Sequence, residues 1–158
     1  MKKLARIAFV FLAVMAMSCS SSNDDGGSSS DEMYLRWTQG GTSYDIADPG
    51  TISSLSTVIT ASQGTDASMR MLSLWMPNNA TVGTHPIVYN SGSQTDVYSA
   101  NLSIGSDIMV DSASGTINIT SIDADYIKGT FSFTGTDFDG QTYTITNGSF
   151  RAYSPSGN

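Results

Sequence analysis

The chain is poor in the side chains from which most catalytic and metal sites are built. It contains one cysteine, Cys19, one histidine, His85, and one glutamate, Glu32. A disulfide within the chain is therefore excluded, and a hydrolase would have a single histidine as its base, with no GxSxG, HExxH or SxxK motif beside it. His85 also precedes Pro86, which favours an extended position at a sheet edge. The sequence therefore predicts a protein that is not an enzyme and that needs no cofactor.

Positive charge is also scarce. The chain has 7 Lys and Arg residues against 14 acidic ones, and Lys2, Lys3 and Arg6 all lie at its start. Without those three, four cations and fourteen acids leave a net charge near −10. A chain of this charge repels polyanions, so we expect no nucleic-acid partner and no attachment of the folded part to anionic lipid head groups.

No apolar run reaches the roughly 20 residues that a membrane-spanning helix needs. The longest, residues 7–17, follows the three cations and has the length of a signal-peptide core. It leads into Ala-Met-Ser-Cys, ending at Cys19, which resembles the lipobox of bacterial lipoproteins. The resemblance implies that residues 1–18 are a cleaved signal peptide and that Cys19 carries acyl chains such as palmitate, which attach the protein to a membrane. The alternative is an ordinary signal peptide followed by a chance cysteine.

Residues 20–32 contain serine, glycine, asparagine and acids, with no apolar side chain to bury. Together with Cys19, residues 19–32 therefore predict a lipidated, flexible tether, and thirteen such residues span on the order of 20 Å. Cysteine followed by serines and by Asp24 and Asp25 resembles the signal that sends lipoproteins of the Bacteroidota to the outer face of the outer membrane. We expect an outer-membrane lipoprotein at the cell surface, with a periplasm-facing lipoprotein as the alternative.

Residues 33–158 have the composition of a single all-β domain. Thr and Ser are abundant and charged residues are few, which disfavours long helices. Short apolar runs alternate with turn signals and show no βαβ rhythm. The pattern predicts one antiparallel β-sandwich of about eight to ten short strands, with a flattened β-barrel as the alternative. The clearest predicted strands are residues 34–38, 42–46, 69–76, 82–88, 97–104 and 108–110.

Two segments have unusual patterns. Residues 52–62 fit a helical face nearly as well as a strand, and their Ser, Thr and β-branched content favours the strand. Residues 69–76 are apolar on both alternating faces, with Met71 and Trp75 on one and Leu72 and Leu74 on the other. Such a segment is typical of a central strand.

The last third of the chain predicts a three-stranded meander. In residues 126–136 the aromatic and aliphatic side chains alternate with polar ones, so one face is apolar and needs a second layer to cover it. A loop at residues 138–140 and a β-bulge at Asn147, preferred to a hairpin turn at Asn147-Gly148, keep apolar residues opposite one another. The predicted register pairs Tyr143 with Gly135, Ile145 with Phe133, Phe150 with Gly129 and Ile117 with Phe131.

Several short motifs resemble a family of small Bacteroidota lipoproteins whose function is not established. These are Gly83-Thr84-His85-Pro86-Ile87, Ser114-Gly115-Thr116, Gly129-Thr130-Phe131-Ser132-Phe133 and Ile145-Thr146-Asn147-Gly148-Ser149-Phe150. The resemblance implies an all-β fold and an envelope location, and it implies no active site. Relatives tend to have tyrosine in a GTYPL-like element where this chain has His85.

Only weak candidates for a metal site are present. Asp137 and Asp139, followed by Gly140, share the D-x-D-G fragment of calcium loops but lack the later bidentate glutamate. The sequence therefore predicts no metal site. Most of the other aspartates are interpreted as turn residues, because their side chains bond to nearby backbone amides; they are Asp45, Asp48, Asp107, Asp111, Asp123 and Asp125.

Aromatic residues supply the weak candidates for ligand binding. Tyr126 and Tyr153 fall on the outward face of the predicted meander, and Trp37 lies in the opening hairpin. In addition, the Asp-Ser-Ala tripeptide around Ser112 resembles the short O-glycosylation sequon of the Bacteroidota, which implies possible modification of that serine.

These patterns favour a non-enzymatic, lipid-anchored envelope domain that acts through interaction or as a surface structural component, with an unidentified envelope protein or glycan as its partner. The alternative is a carbohydrate- or small-ligand-binding lipoprotein of an uptake system. An apolar cleft lined by exposed Trp or Tyr would favour the alternative. A closed core with a polar Ser and Thr surface would favour the first hypothesis.

Overall fold

The computed structural model describes residues 32–90 and 94–154. In these ranges the chain forms ten β-strands and a short 3₁₀ helix at Asp66–Ser68. The strands are β1 (Tyr34–Gln39), β2 (Thr42–Ala47), β3 (Gly50–Ser53), β4 (Thr57–Gln63), β5 (Arg70–Met76), β6 (Gly83–Ile87), β7 (Ser99–Ile104), β8 (Ile108–Ile122), β9 (Tyr126–Thr136) and β10 (Thr142–Tyr153). The predicted signal peptide, Cys19 and all but the last residue of the predicted tether lie outside the described residues. Within the described ranges, no helix is long and apolar enough to cross a membrane.

All ten strands join in one sheet whose strand pairs are antiparallel. The order is β2-β1-β10-β9-β8-β7-β5-β4-β3, and β6 pairs with the second half of β8. The first strand, β1, lies between β2 and the last strand, β10. The two ends of the folded chain therefore meet inside the sheet.

The sheet curls into a half-barrel, so that its two ends approach each other over one core. β3 comes into contact with β10, and β2 with β4, although neither pair is hydrogen-bonded in the sheet. This closure confirms the predicted all-β antiparallel class and supplies the second layer that the meander needs. Large side chains fully buried in the core include Leu35, Trp37, Ile59, Leu72, Leu74, Leu102, Ile117, Ile127 and Phe150.

The predicted meander of β8, β9 and β10 is confirmed in register. Tyr143 pairs with Gly135, Ile145 with Phe133, Phe150 with Gly129 and Ile117 with Phe131. The β9–β10 loop closes through Gly140, whose φ is +81°, and the register shifts at Asn147, whose φ is +52°. The bulge interpretation was therefore correct, and the hairpin alternative at Asn147 was not.

Two segment boundaries differ from the sequence-based expectation. Residues 52–62 are extended, as favoured, but they belong to two strands, β3 and β4, separated by a turn at residues 54–56. The predicted short strand at 108–110 is the start of the 15-residue β8. Register shifts between Ser112 and Ser114 and between Ile119 and Ser121 change which side chains point inward. These bulges break the apolar alternation without ending the strand.

Candidate functional site

A groove runs across the outer face of the sheet, on the side opposite the core. Its floor is formed by β3, β4, β5, β7 and the start of β8. On β4, Val58 and Thr60 face the groove, while Ile59 and Ala61 alternate with them and are buried in the core. The groove volume is about 790 Å³, within the range of pockets that hold small molecules.

The floor is built from parallel rows of side chains that cross the strands. One row is mainly apolar and runs from Ile52 through Val58 to Trp75. The middle row is polar and crosses four strands in register, from Thr60 through Ser73 and Asn101 to Asp111. Beyond it lie two methionines, Met71 on β5 and Met109 on β8. The groove therefore offers a polar strip between two apolar borders.

Three loops form the rim, and each carries an exposed apolar side chain. Leu55 in the β3–β4 turn is 78% exposed, Phe138 in the β9–β10 loop is 84% exposed, and Tyr89 after β6 is 60% exposed. Exposed apolar groups of this size, gathered around one concave surface, are typical of a binding site and not of an ordinary surface.

Hydrogen bonds within the protein link described residues of two rim loops. Asn78 Nδ2 donates to the Ser54 carbonyl at 2.7 Å, and Thr57 donates to Asn78 Oδ1 at 3.0 Å, which fixes the turn that carries Leu55. Next to Tyr89, Asn90 Nδ2 donates to the Gln94 carbonyl at 2.8 Å. A turn that is ordered before binding, such as the one that carries Leu55, lowers the entropy cost of taking up a ligand.

Asp137 fixes the third rim loop. Its Oδ1 accepts the backbone N–H groups of Asp139 at 3.0 Å and Gln141 at 2.8 Å, and its Oδ2 accepts the Tyr143 hydroxyl at 3.1 Å. Loss of solvent raises the pKa of Tyr143, and this hydrogen bond to Asp137 adds to the rise. The weak calcium candidate Asp137 thus uses both carboxylate oxygens to shape the loop that presents Phe138, whereas Asp139 is exposed. Among the described residues, no three or more His, Cys, Asp or Glu side chains are grouped as metal ligands.

The charge of the groove comes from one residue. Asp111 is the only Asp or Glu among the described lining residues, which include no Lys or Arg. The sequence had suggested that Asp111 is a turn residue, and this was wrong, because it lies within β8 opposite Asn101. Without a cation to offset Asp111, the groove disfavours anionic ligands.

The three aromatic candidates from the sequence lie outside the groove. Trp37 is 1% exposed and stacks on Tyr44 with ring centroids 4.9 Å apart, so it is a core residue. Tyr126 and Tyr153 face outward as predicted and pair across β9 and β10. Tyr126 is half-buried beneath the guanidinium of Arg151, 4.1 Å from its ring centroid, while Tyr153 is exposed. None of the three aromatic residues lines the groove.

Ser112 is buried, with 1% of its surface exposed. Its Oγ accepts the backbone N–H of Ala100 at 3.0 Å, which ties β8 to β7. A glycosyltransferase requires an accessible hydroxyl, and the folded domain does not present this one. Modification of Ser112 would have to precede folding and would remove this hydrogen bond.

His85 packs against neighbouring residues and helps to hold two strands together. Its ring stacks on Tyr98 with centroids 4.0 Å apart, and Nε2 donates to the Thr81 carbonyl at 2.7 Å. Burial raises the pKa of the Tyr98 hydroxyl, against a smaller lowering by a hydrogen bond to the Thr81 backbone. The stack holds β6 beside the start of β7, near the loop that carries Tyr89.

None of the candidate residues selected from the sequence lines the groove, although one signal was present. Residues 69–76 are apolar on both faces, and this was interpreted as burial in a central strand. β5 is indeed central, between β4 and β7, but one face carries core residues such as Leu72 and Leu74, and the other carries Met71 and Trp75 into the groove. The cross-strand rows could not be found from sequence because they depend on long-range strand pairing.

Comparison with known proteins assigns the chain to a family whose function is not known. A family model described as a domain of unknown function, DUF6252, matches residues 49–153. This span contains every described residue that lines the groove. Comparisons with curated proteins and with solved structures found no match. The match covers most of the chain, and the protein therefore belongs to the DUF6252 family.

Proposed function

We propose that the domain is a non-enzymatic binding module of the bacterial cell envelope, anchored through lipid on Cys19, whose outer-face groove takes a small ligand with an apolar surface. The observation that carries the binding role is the preformed groove, with an apolar rim on three loops and Trp75 in its floor. The anchor is supported by the signal-peptide pattern and the lipobox resemblance.

The groove favours the ligand-binding hypothesis over a purely structural role. A structural component needs a closed core and a polar surface, whereas five of the large apolar side chains that are exposed line this one groove: Ile52, Leu55, Tyr89, Met109 and Phe138. Leaving them in water is unfavourable, and covering one of them fully contributes about 1.5–3 kcal/mol. A ligand that covers the rim and floor recovers part of that free energy.

The small number of titratable side chains in the groove supports the proposal of a non-enzymatic role. Asp111 and Tyr89 are the only titratable side chains among its described lining residues, and His85 lies outside it. A general acid and base pair, or a nucleophile beside a base, needs two such groups within hydrogen-bond reach.

The binding role is tested with an uncharged amphiphile, tetraethylene glycol monooctyl ether, below its micellar concentration. Titration into the chain from residue 20 onward is followed by tryptophan fluorescence, because Trp75 lies in the groove while Trp37 is 1% exposed in the core. We expect saturable binding that Phe138→Asp weakens about tenfold, the loss expected for one apolar contact.

Val82→Asp is the matched control, because Val82 is 60% exposed and lies outside the groove. It should bind the amphiphile as the unchanged chain does. Equal weakening by both substitutions would refute the groove as the binding site, and absence of saturable binding would refute a site for uncharged amphiphiles.

The envelope location has its own test. Protease added to intact cells should cleave the domain if the lipoprotein faces outward, and Cys19→Ser should release it from the membrane fraction. Full protection of the domain while the outer membrane is intact would rule out surface exposure and leave the periplasmic alternative.

A further inference from the structure

The polar row across the groove floor indicates which class of small ligand the site takes. Thr60, Ser73, Asn101 and Asp111 lie side by side on β4, β5, β7 and β8. With strands about 4.8 Å apart, the row is about 14 Å long. A purely apolar ligand would bury this row without replacing its hydrogen bonds to water, which is unfavourable.

At one end of the polar row, hydrogen-bonding capacity is left unused. Thr60 and Ser73 share a hydrogen bond, with their hydroxyl oxygens 2.9 Å apart, and Thr60 also donates to the Leu72 carbonyl at 3.3 Å. Asn101 Oδ1, in contrast, is buried and has no hydrogen-bond partner within the described residues. Its neighbour in register, Asp111, carries a carboxylate that only accepts. The Asn101 amide and the Asp111 carboxylate, which both line the groove, therefore offer a ligand two adjacent hydrogen-bonding groups.

Hydroxyl groups fit this pair better than other donors. A hydroxyl both donates and accepts, so it can satisfy the Asn101 amide in either orientation about its terminal bond. Vicinal hydroxyls can bridge Asn101 and Asp111 in the way that paired donors engage a carboxylate. Anionic ligands are disfavoured, because the described lining residues include no Lys or Arg to offset Asp111.

The apolar row that ends at Trp75 lies next to the polar row, so that one sugar ring can contact both rows. Trp75 is two residues from Ser73 on β5, and Ser73 pairs with Asn101. A pyranose has an apolar C–H face and hydroxyls around its edge. With that face on the Trp75 indole, its edge hydroxyls point toward the row.

We propose that the groove binds a neutral saccharide, with the apolar face of one ring on Trp75 and vicinal hydroxyls hydrogen-bonded to Asn101 and Asp111. This inference rests on the proposed binding function and names its ligand class. The Met71 and Met109 border lies on the far side of the row and can cover a second ring.

The test compares three kinds of ligand on the chain from residue 20 onward, using calorimetry and Trp75 fluorescence. These are neutral gluco-, manno-, galacto- and xylo-oligosaccharides, the uncharged octyl ether used above, and decyltrimethylammonium as a cation without hydroxyls. We expect at least one oligosaccharide to bind saturably. Asp111→Asn should weaken it about tenfold or more, and should leave the octyl ether unchanged.

Asp107→Asn is the control, since Asp107 lies in the β7–β8 turn outside the groove. If Asp111→Asn lowers the melting temperature sharply, Asn101→Ser serves as the second variant and should also weaken saccharide binding selectively.

The pattern of binding distinguishes the saccharide inference from the more general proposal that the groove binds a ligand. If the octyl ether binds and no oligosaccharide does, the saccharide inference is wrong and the binding function stands. Preference for the cation, lost in Asp111→Asn, overturns the saccharide inference in favour of a cationic ligand. If none of the three binds, both proposals fail.

Discussion

Gly129 in β9 provides a quantitative test of the packing described above. A Cβ placed on this residue would lie 2.4 Å from the Asn118 carbonyl oxygen and 2.8 Å from Phe150 Cζ. Phe150 is fully buried, so its ring has little room to move. The close approach therefore comes from both a neighbouring strand and the core.

We expect Gly129→Ala to lower the free energy of unfolding by about 1–2 kcal/mol. Forcing a methyl group into a filled core costs about 1–3 kcal/mol. Against this, replacing glycine stabilises by about 0.4–1 kcal/mol, because it reduces the freedom of the unfolded chain. The clash dominates because one of its partners is backbone, which relaxes less easily than a flexible side chain.

Gly50→Ala is the matched control. Its added Cβ would meet only Thr60 atoms, the nearest at 3.7 Å, which is ordinary contact. Gly50→Ala should therefore be neutral or slightly stabilising, by up to about 1 kcal/mol.

Urea unfolding followed by tryptophan fluorescence measures both variants, with equal m-values as the check that compactness is unchanged. Adding Phe150→Leu to Gly129→Ala should give a favourable coupling of about 0.5 kcal/mol or more, since the smaller side chain relieves the ring contact. The reasoning is refuted if Gly129→Ala is as stable as the unchanged chain.

Two further predictions concern aspartates in loops. Asp137→Ala should lower the free energy of unfolding by about 1–2 kcal/mol, because it removes three hydrogen bonds, whereas Asp139→Ala should change it little; equal effects in urea unfolding would contradict the role given to Asp137. The carboxylate of Asp123 accepts the Tyr126 and Asp125 backbone N–H groups, and these bonds lower its pKa, the Tyr126 bond most strongly. Its contribution to stability is therefore present above the unfolded pKa of about 3.9 and is lost as the pH falls through the lower folded value. A carboxyl NMR titration that places this pKa at or above 3.9 would show the interpretation to be wrong.

The sequence was most informative where structure follows from local rules. The strand register of the meander could be predicted, because its turn needs Gly140, its bulge falls at Asn147, and only one register pairs Phe150 with Gly129. Local rules failed at residues 108–110, which were predicted to be a separate strand but form the start of β8. The reason is that a bulge and a strand end both interrupt the apolar alternation.

The sequence was least informative where distant segments pair. No local pattern indicates that β1 pairs with β10, that β5 pairs with β7, or that β6 pairs with β8. The candidate site depends on those pairings, because Asn101 meets Ser73 and Asp111 only through them. Sequence reasoning therefore selected Trp37 by residue type, and that residue proved to be in the core.

The position of β1 has a practical consequence for work on the family. The family match begins at residue 49, after both β1 and β2, yet β1 places the buried Leu35 and Trp37 in the core and hydrogen-bonds along β10. A protein truncated to residues 49–153 would lose part of its core and expose the backbone of β10 as an open sheet edge. Open edges of this kind template aggregation or capture another strand. The cooperative unit for expression, crystallisation or ligand screening therefore starts no later than Met33, and misfolding of shorter versions would say nothing about the groove.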